Sequence, residues 1–135
     1  MKSVFKKIAV TAIAAAASTC MAISVNAYAA LGVGVSYKVS STMNTWNNQQ
    51  SDYAWDVNPS GDCVFSADVS GGTADFTLKR WLFYYDSSVV WPSGNHSGYF
   101  KDKIPGNMME ADDYFAEVKY VRGGTVEGKV YLSRA

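Results

Sequence analysis

The only histidine in the chain, His96, is the first residue to consider as a catalytic group. It lies in the sequence Gly-Asn-His-Ser-Gly, whose composition is typical of a loop. A Ser-His-Asp triad would need its ring to meet a serine and a carboxylate. Serines and aspartates are plentiful, but the sequence has no Gly-x-Ser-x-Gly segment to present a serine nucleophile on a sharp turn. We therefore predict a solvated loop histidine and no catalytic residue.

Acidic side chains cluster at Glu110, Asp112 and Asp113. A glycosidase needs two separated carboxylates that line a cleft, whereas neighbouring acids on a short loop usually face solvent. These oxygens, or those around Asp62, could hold calcium, although no EF-hand loop is present. Zinc-type spacing is also absent from the sequence. We predict no metal site and no other cofactor, and we do not expect an enzyme.

Cys63 is the one cysteine that follows the N-terminal apolar segment, so it cannot form a disulfide within the remaining chain. It could be a small buried hydrophobic residue. It could instead form an intermolecular disulfide, giving a linked dimer in an oxidising exterior. A nucleophilic role would need an activating base, which the sequence does not supply nearby.

Aromatic residues are the remaining chemical signal, because the chain after residue 29 carries four tryptophans and eight tyrosines. Exposed rings are common on surfaces that bind sugars or proteins, and rings can also cap the open ends of a sandwich. Five aromatic residues lie in or beside predicted loops and are the candidates for ligand binding. They are Trp46, Tyr53, Trp55, Trp91 and Tyr99.

The first 29 residues have the pattern of a secretory signal peptide. Three lysines precede an apolar, alanine-rich stretch, and Ala27-Tyr28-Ala29 provides the small residues of a cleavage site. We predict a signal peptide at 1–29, one domain at 30–135 and a secreted, extracellular protein. An uncleaved anchor is the alternative. Cys20 lacks the preceding leucine expected of a lipoprotein cysteine.

The charge of the predicted mature chain is mildly negative. All twelve acidic residues follow residue 29, whereas three of the twelve basic residues precede it, which leaves nine basic residues and a formal charge of −3. This balance argues against nucleic acid and anionic membrane surfaces as partners. No segment of the mature chain is apolar enough to span a bilayer.

The densest apolar run, residues 74–91, predicts the central strand of the domain. Phe76 and Leu78 share one phase of a period-two pattern, whereas Trp81 falls in the other phase with two later aromatic residues. A β-bulge near Lys79 and Arg80 would bring both sets to one face. The alternative is a strand that is covered on both faces.

Turn signals divide the rest of the mature chain into seven or eight short strands. We predict hairpins at Ser70-Gly71-Gly72 and at Arg122-Gly123-Gly124, and a turn at residues 92–95. Apolar residues alternate before and after the second hairpin, and no segment has a convincing helical period. The pattern predicts an all-β fold, an antiparallel β-sandwich of the jelly-roll or immunoglobulin type.

The succession of strand and turn motifs in residues 53–133 resembles that of the pre-peptidase C-terminal type of secreted bacterial β-sandwich. The resemblance rests on four motifs: Gly61-x-Cys63-Val64-Phe65, Gly71-Gly72-x-Ala74-Asp75-Phe76-x-Leu78, Asp113-Tyr114-Phe115-x-x-Val118 and Gly128-x-Val130-x-Leu132. It implies a non-catalytic accessory module. The chain is also loosely similar to lactococcin-like secreted bacteriocins, which are small, cysteine-poor and rich in aromatic residues.

These observations predict a small secreted binding module whose partner is a polysaccharide, a cell-wall component or an extracellular protein. Aromatic rings in loops would stack on the ligand, and asparagine and aspartate side chains would form hydrogen bonds with it. The alternative is a bacteriocin-like toxin that acts on other cells.

Overall fold

The computed structural model describes residues 30–48, 55–58, 61–82 and 87–135; the predicted signal peptide and Tyr53 lie outside these ranges. The described residues form eight β-strands and one 3₁₀ turn, and none of them lies in an α-helix or in a helix that could span a membrane. The elements are β1 (Val35–Val39), β2 (Thr45–Asn47), β3 (Trp55–Val57), β4 (Cys63–Ala67), β5 (Ser70–Trp81), β6 (Ser87–His96), β7 (Phe100–Ile104), the 3₁₀ turn (Gly106–Met108) and β8 (Asp112–Arg134).

The long strand β8 is the centre of the sheet. Strands β1, β2 and β3 pair with successive parts of one edge of β8, and β4 and β5 pair with the other edge. The outer strands are β6, which pairs with β5, and β7, which pairs with β4. Every pairing is antiparallel, which confirms the predicted all-β antiparallel fold class.

The sheet is folded over so that its two halves pack face to face. Tyr37 on β1 pairs with Gly128, and Phe76 on β5 pairs with Val118. Those two β8 residues would lie about 34 Å apart in a straight extended strand. The rings of Tyr37 and Phe76 are nevertheless in edge contact, with centroids 5.4 Å apart. Both layers of the sandwich are therefore parts of one continuous sheet.

Two glycine pairs lie where the sheet folds. Gly72 pairs with Gly123, and both Gly71 (φ +93°) and Gly123 (φ +104°) have left-handed backbone conformations. A Cβ atom on Gly71 would lie 1.8 Å from the carbonyl oxygen of Thr125. Only glycine allows the two strands to approach this closely while they bend.

The two predicted hairpins at these glycines are therefore wrong. β4 and β5 both pair with β8, and the chain between them continues in the same direction along that strand. β8 itself runs through Arg122-Gly123-Gly124 without reversing. Glycines with positive φ suit a bulge or a bend inside a strand as well as a hairpin turn.

The core fills the space between the two halves of the sheet. Alternation predicted the inward-facing residues of β8 correctly, and these are fully buried on both sides of the bend. Each large apolar side chain that is fully buried contributes about 1.5–3 kcal/mol of hydrophobic stabilisation. The inward-facing residues of β8 are Tyr114, Ala116, Val118, Val126, Val130 and Leu132.

β5 is covered on both faces near its C-terminal end. Phe76 and Leu78 lie in the core, whereas Trp81 packs on the ring of Phe115, with centroids 6.2 Å apart. The register of β5 against β6 shifts after Leu78, but its register against β8 does not shift between Ala74 and Arg80. No bulge in β5 turns Trp81 to the core face. The alternative interpretation, a strand covered on both faces, is therefore the correct one.

Candidate functional site

A bulge in β6 replaces the turn that the sequence predicts at residues 92–95. Gly94 pairs with Phe76, and Pro92 pairs with the next residue of β5, so Ser93 is the extra residue. Gly94 has a φ of +89°, as is common in bulges of this kind. The chain stays in the strand, and the bulge brings the Ser93 side chain to β7.

Asp102 on β7 accepts two hydrogen bonds from β6. The indole Nε1 of Trp91 donates to Asp102 Oδ2 at 3.0 Å, and Ser93 Oγ donates to the same oxygen at 2.5 Å. Asp102 alternates in phase with the buried residues Phe100 and Ile104, so its side chain belongs to the inner face. These contacts tie the two outer strands of the sheet together.

His96 is a half-buried residue of β6, so the prediction of a solvated loop histidine is wrong. Its ring stacks on Phe100, with centroids 4.0 Å apart and an interplanar angle of 13°. Its Nε2 lies 3.0 Å from Ser93 Oγ and 3.1 Å from the Ser93 carbonyl oxygen. We refer to Trp91, Ser93, His96 and Asp102 as the Asp102 cluster.

The Asp102 cluster contains the residue types of a Ser-His-Asp triad but joins them differently. In a triad, the histidine accepts the serine proton and the carboxylate holds the other ring nitrogen. Here Ser93 donates its single hydroxyl hydrogen to Asp102, so His96 Nε2 must act as the donor to Ser93. The histidine is thus not placed to activate the serine, and the cluster joins strands.

The three described tryptophan candidates all contribute to the core. Trp55 is 0% exposed and its Nε1 donates to the carbonyl oxygen of Val33 at 3.3 Å, so this candidate ring is part of the core and not of the surface. β3 pairs with the start of β8, which directs Trp55 inward. Trp46 and Trp91 are half-buried and pack against the core. Among the four candidates that the structure describes, no ring contact joins one to another.

Tyr99 is the predicted candidate with an open ring, because 62% of its surface is exposed. It lies near Tyr131 of β8, whose hydroxyl donates to Asp68 Oδ2 at 3.2 Å. Partial burial raises the pKa of Tyr131, and both Asp68 and the neighbouring Tyr99 raise it further. The aspartate therefore holds one phenol in place beside the other.

These two tyrosines belong to the outer face of the half-sheet formed by β1, β8, β4 and β7. Tyr131 pairs with Ser66, which in turn pairs with Lys101. A Cβ atom on Gly34 would lie 2.5 Å from the Tyr131 ring, so this glycine allows the ring to lie close to the sheet. We name this surface the Tyr99 face. Alternation assigns to it Ser36, Lys38, Val64, Ser66, Asp68, Tyr99, Lys101, Lys103, Glu127, Lys129, Tyr131 and Ser133, of which Val64 and Ser66 on β4 are buried.

Two carboxylates of the acidic cluster lie beside Arg80. Glu110 Oε2 pairs with Arg80 at 2.9 Å, and Asp112 Oδ2 lies 3.4 Å from the same guanidinium group. Within the described residues, no group of three or more histidine, cysteine, aspartate or glutamate side chains is arranged to hold a metal ion. Two of the carboxylates that could have held calcium therefore pair with Arg80.

Cys63 is fully buried, and its thiol donates to the carbonyl oxygen of Gly61 at 3.5 Å. Burial raises the pKa of this thiol. Of the three interpretations, the small buried residue is the one that this position fits. A disulfide-linked dimer through Cys63 is incompatible with the folded state, because the sulfur would have to leave the core first.

The sequence analysis predicted neither the Asp102 cluster nor the position of Tyr131 beside Tyr99. The alternation in β8 predicts that the Tyr131 side chain points outward, and this is the one feature of the sequence that could have identified Tyr131. The contact between Ser93 and Asp102 depends on a bulge and on the folding of the sheet, which no local pattern encodes.

No protein-family model matches the sequence, and no curated protein matches it significantly. Among solved structures, the chain is similar to the pre-peptidase C-terminal domain of a collagenase from Bacillus anthracis, with 14% identity and a TM-score of 0.43. The match covers 82% of this chain and 98% of that domain. It agrees with the weak resemblance in the sequence, and at this TM-score it carries no argument about function.

Proposed function

We propose that the protein is a secreted, non-enzymatic module that binds an extracellular ligand through the Tyr99 face. The ligand would be a glycan, a cell-wall component or another protein. The observation that carries this proposal is the exposed ring of Tyr99 beside Tyr131 on an ordered sheet face. Tyrosine supplies a large flat contact area with little loss of side-chain freedom, and it is common at binding surfaces.

Two features of this face support binding. The hydrogen bond between Tyr131 and Asp68 fixes one ring before a ligand arrives, which lowers the entropic cost of binding. Gly34 has no side chain, so the partly exposed ring of Tyr131 can lie close to the sheet. A flat platform of this kind suits the face of a sugar ring or an apolar protein side chain.

The secreted and non-enzymatic parts of the proposal rest on separate observations. The lysines, apolar stretch and Ala27-Tyr28-Ala29 site of the first 29 residues support export. The direction of the hydrogen bonds in the Asp102 cluster argues against a serine nucleophile, because the serine hydrogen is committed to the carboxylate.

A pull-down of the purified protein on insoluble polysaccharides, peptidoglycan and immobilised extracellular proteins tests the proposal. Tyr99→Ala should weaken binding about 3- to 10-fold, the worth of one aromatic contact. Val89→Ala is the matched control, because Val89 is 58% exposed and lies on β6, away from the Tyr99 face. Equal binding by both variants, or no binding of the parent protein to any material, would overturn the proposal.

A further inference from the structure

We infer that the ligand of the Tyr99 face is an acidic polysaccharide that carries carboxylates along its chain. This inference rests on the proposed function and names the ligand class. It is based on the lysines of that face, which lie beside the exposed Tyr99 and the partly buried Tyr131.

Three lysines of the Tyr99 face form no ion pair with any residue that the structure describes. They are Lys38 on β1, Lys101 on β7 and Lys129 on β8, and all three are exposed. Their ammonium groups can pair with anions from outside the protein. An exposed pair of this kind is weak singly, so a polymer with repeated charges gains the most from several lysines.

The other half of the sheet is different. Lys79 pairs with Glu117 at 3.1 Å, and Lys119 reaches the same carboxylate at 3.8 Å. Arg80 is held by Glu110 and Asp112. The basic residues of β5 and of the first half of β8 up to Lys119 are thus paired with carboxylates of the same half-sheet, whereas Lys101 and Lys129 on the Tyr99 face are not.

Glu127 lies on the same face opposite Lys38, so it offsets the charge of that lysine, whereas the two aspartates near the tyrosines already have partners. Asp68 accepts the hydroxyl hydrogen of Tyr131. Asp62 accepts the backbone N–H of Gly106 and pairs with Lys103 at 3.4 Å. These carboxylates therefore leave Lys101 and Lys129 available to a ligand, although the mature chain has a formal charge of −3.

The spacing of the strands suits a chain that crosses them. Lys129 on β8 and Lys101 on β7 are separated by β4 and offset by two residues along the strands, which places their backbones about 12 Å apart. Tyr131 and Tyr99 lie on the same two sides of β4. An acidic polysaccharide lying across β4 would stack sugar rings on the tyrosines and meet an ammonium group on either side. A neutral glycan would leave the lysines without a partner.

Binding to sodium polygalacturonate and to its methyl ester distinguishes these ligands, because the two polymers share a backbone and differ in charge. We expect calorimetry to detect binding to polygalacturonate that weakens at least about tenfold when salt is raised from low to high concentration. Lys101→Gln and Lys129→Gln should each weaken binding about threefold, and Tyr99→Ala should weaken it further. Lys119→Gln, on the other half, should have no effect.

Four outcomes would overturn the inference. Equal binding to the methyl ester would show a neutral-glycan module, and the proposed function would stand. Equal binding to dextran sulfate without dependence on Tyr99 would show unspecific attraction of polyanions. Binding only to protein in the pull-down would also leave the proposed function intact, whereas no binding to any material would remove both proposals.

Discussion

The indole N–H of Trp91 donates to the carboxylate of Asp102 across 3.0 Å, and this contact joins two strands that do not otherwise pair. β6 and β7 are the outer strands on one side of the folded sheet, so a side-chain bond between their inner faces helps to keep the two halves together. A hydrogen bond to a charged acceptor in a half-buried site is stronger than one on the open surface.

Trp91→Phe should lower the free energy of unfolding by about 1–2 kcal/mol, because it removes the donor and keeps an aromatic ring. Ser93 still donates to Asp102 in this variant, so the carboxylate is not left without a partner. Urea unfolding measures the change. Trp46→Phe is the control, since Trp46 is also half-buried against the core. An equal loss in both variants would show that the hydrogen bond contributes nothing beyond ring size.

Three glycine-to-alanine substitutions should give a graded series of stabilities. Gly98→Ala should change the free energy of unfolding little, because nothing lies within 4 Å of its Cβ position and its backbone is not left-handed. Gly94→Ala should cost about 1–2 kcal/mol, since its Cβ position is open but its φ is +89°. Gly71→Ala combines a positive φ with a backbone clash and should cost more than about 3 kcal/mol.

The order of these three values is the test, and urea or thermal unfolding measures it. A Gly71→Ala variant as stable as the parent protein would mean that the sheet does not fold at Gly71 and Gly123 as described. A strongly destabilised Gly98→Ala variant would show that glycine is needed there for a reason other than space.

Alternation in the sequence predicted the buried side of β8 because most of that strand has one covered face; Phe115, which packs on Trp81 on the opposite face, is an exception. Val126, Val130 and Leu132 are buried for this reason, and Tyr131 points outward. The same local pattern could not show that β8 is one strand. Gly123 fits a hairpin and a bend equally well, and the choice between them depends on β5 lying alongside.

The candidate site was predictable only in part for a similar reason. The exposure of Tyr99 followed from its place beside a loop, but the burial of Trp55 depends on β3 pairing with the start of β8. The contacts of Asp102 depend on a one-residue bulge at Ser93. The burial of Trp55 and the contacts of Asp102 depend on pairing between strands that are distant in the sequence, and this pairing cannot be deduced from a single sequence.

Cys63 should react slowly with thiol reagents in the folded protein. Its sulfur is buried and its pKa is raised, so both access and thiolate formation are reduced. We expect modification to be at least about a hundredfold slower in buffer than in strong guanidinium, because it requires local opening. Mass spectrometry of the peptide that contains Cys63 measures the rate. Rapid modification, or a dimer on a non-reducing gel, would contradict the buried position.

Stability should fall at alkaline pH, and Tyr37 should account for part of the loss. Its hydroxyl donates to the carbonyl oxygen of Asp68 at 2.7 Å, and burial, with help from nearby carboxylates, raises its pKa well above the usual value. Burial also raises the pKa of Tyr114. The folded protein thus holds these protons more tightly than the unfolded chain does. Unfolding releases them above pH 10, so the free energy of unfolding decreases there.

Urea unfolding of the parent protein and of Tyr37→Phe between pH 8 and pH 11 tests this assignment. The variant should be less stable by about 1 kcal/mol at pH 8, because it loses the hydrogen bond to Asp68. Its stability should then fall less steeply between pH 10 and pH 11, since one proton fewer is released on unfolding. Parallel pH profiles for the two proteins would mean that Tyr37 titrates alike in the folded and unfolded states, and its place in the core would have to be revised.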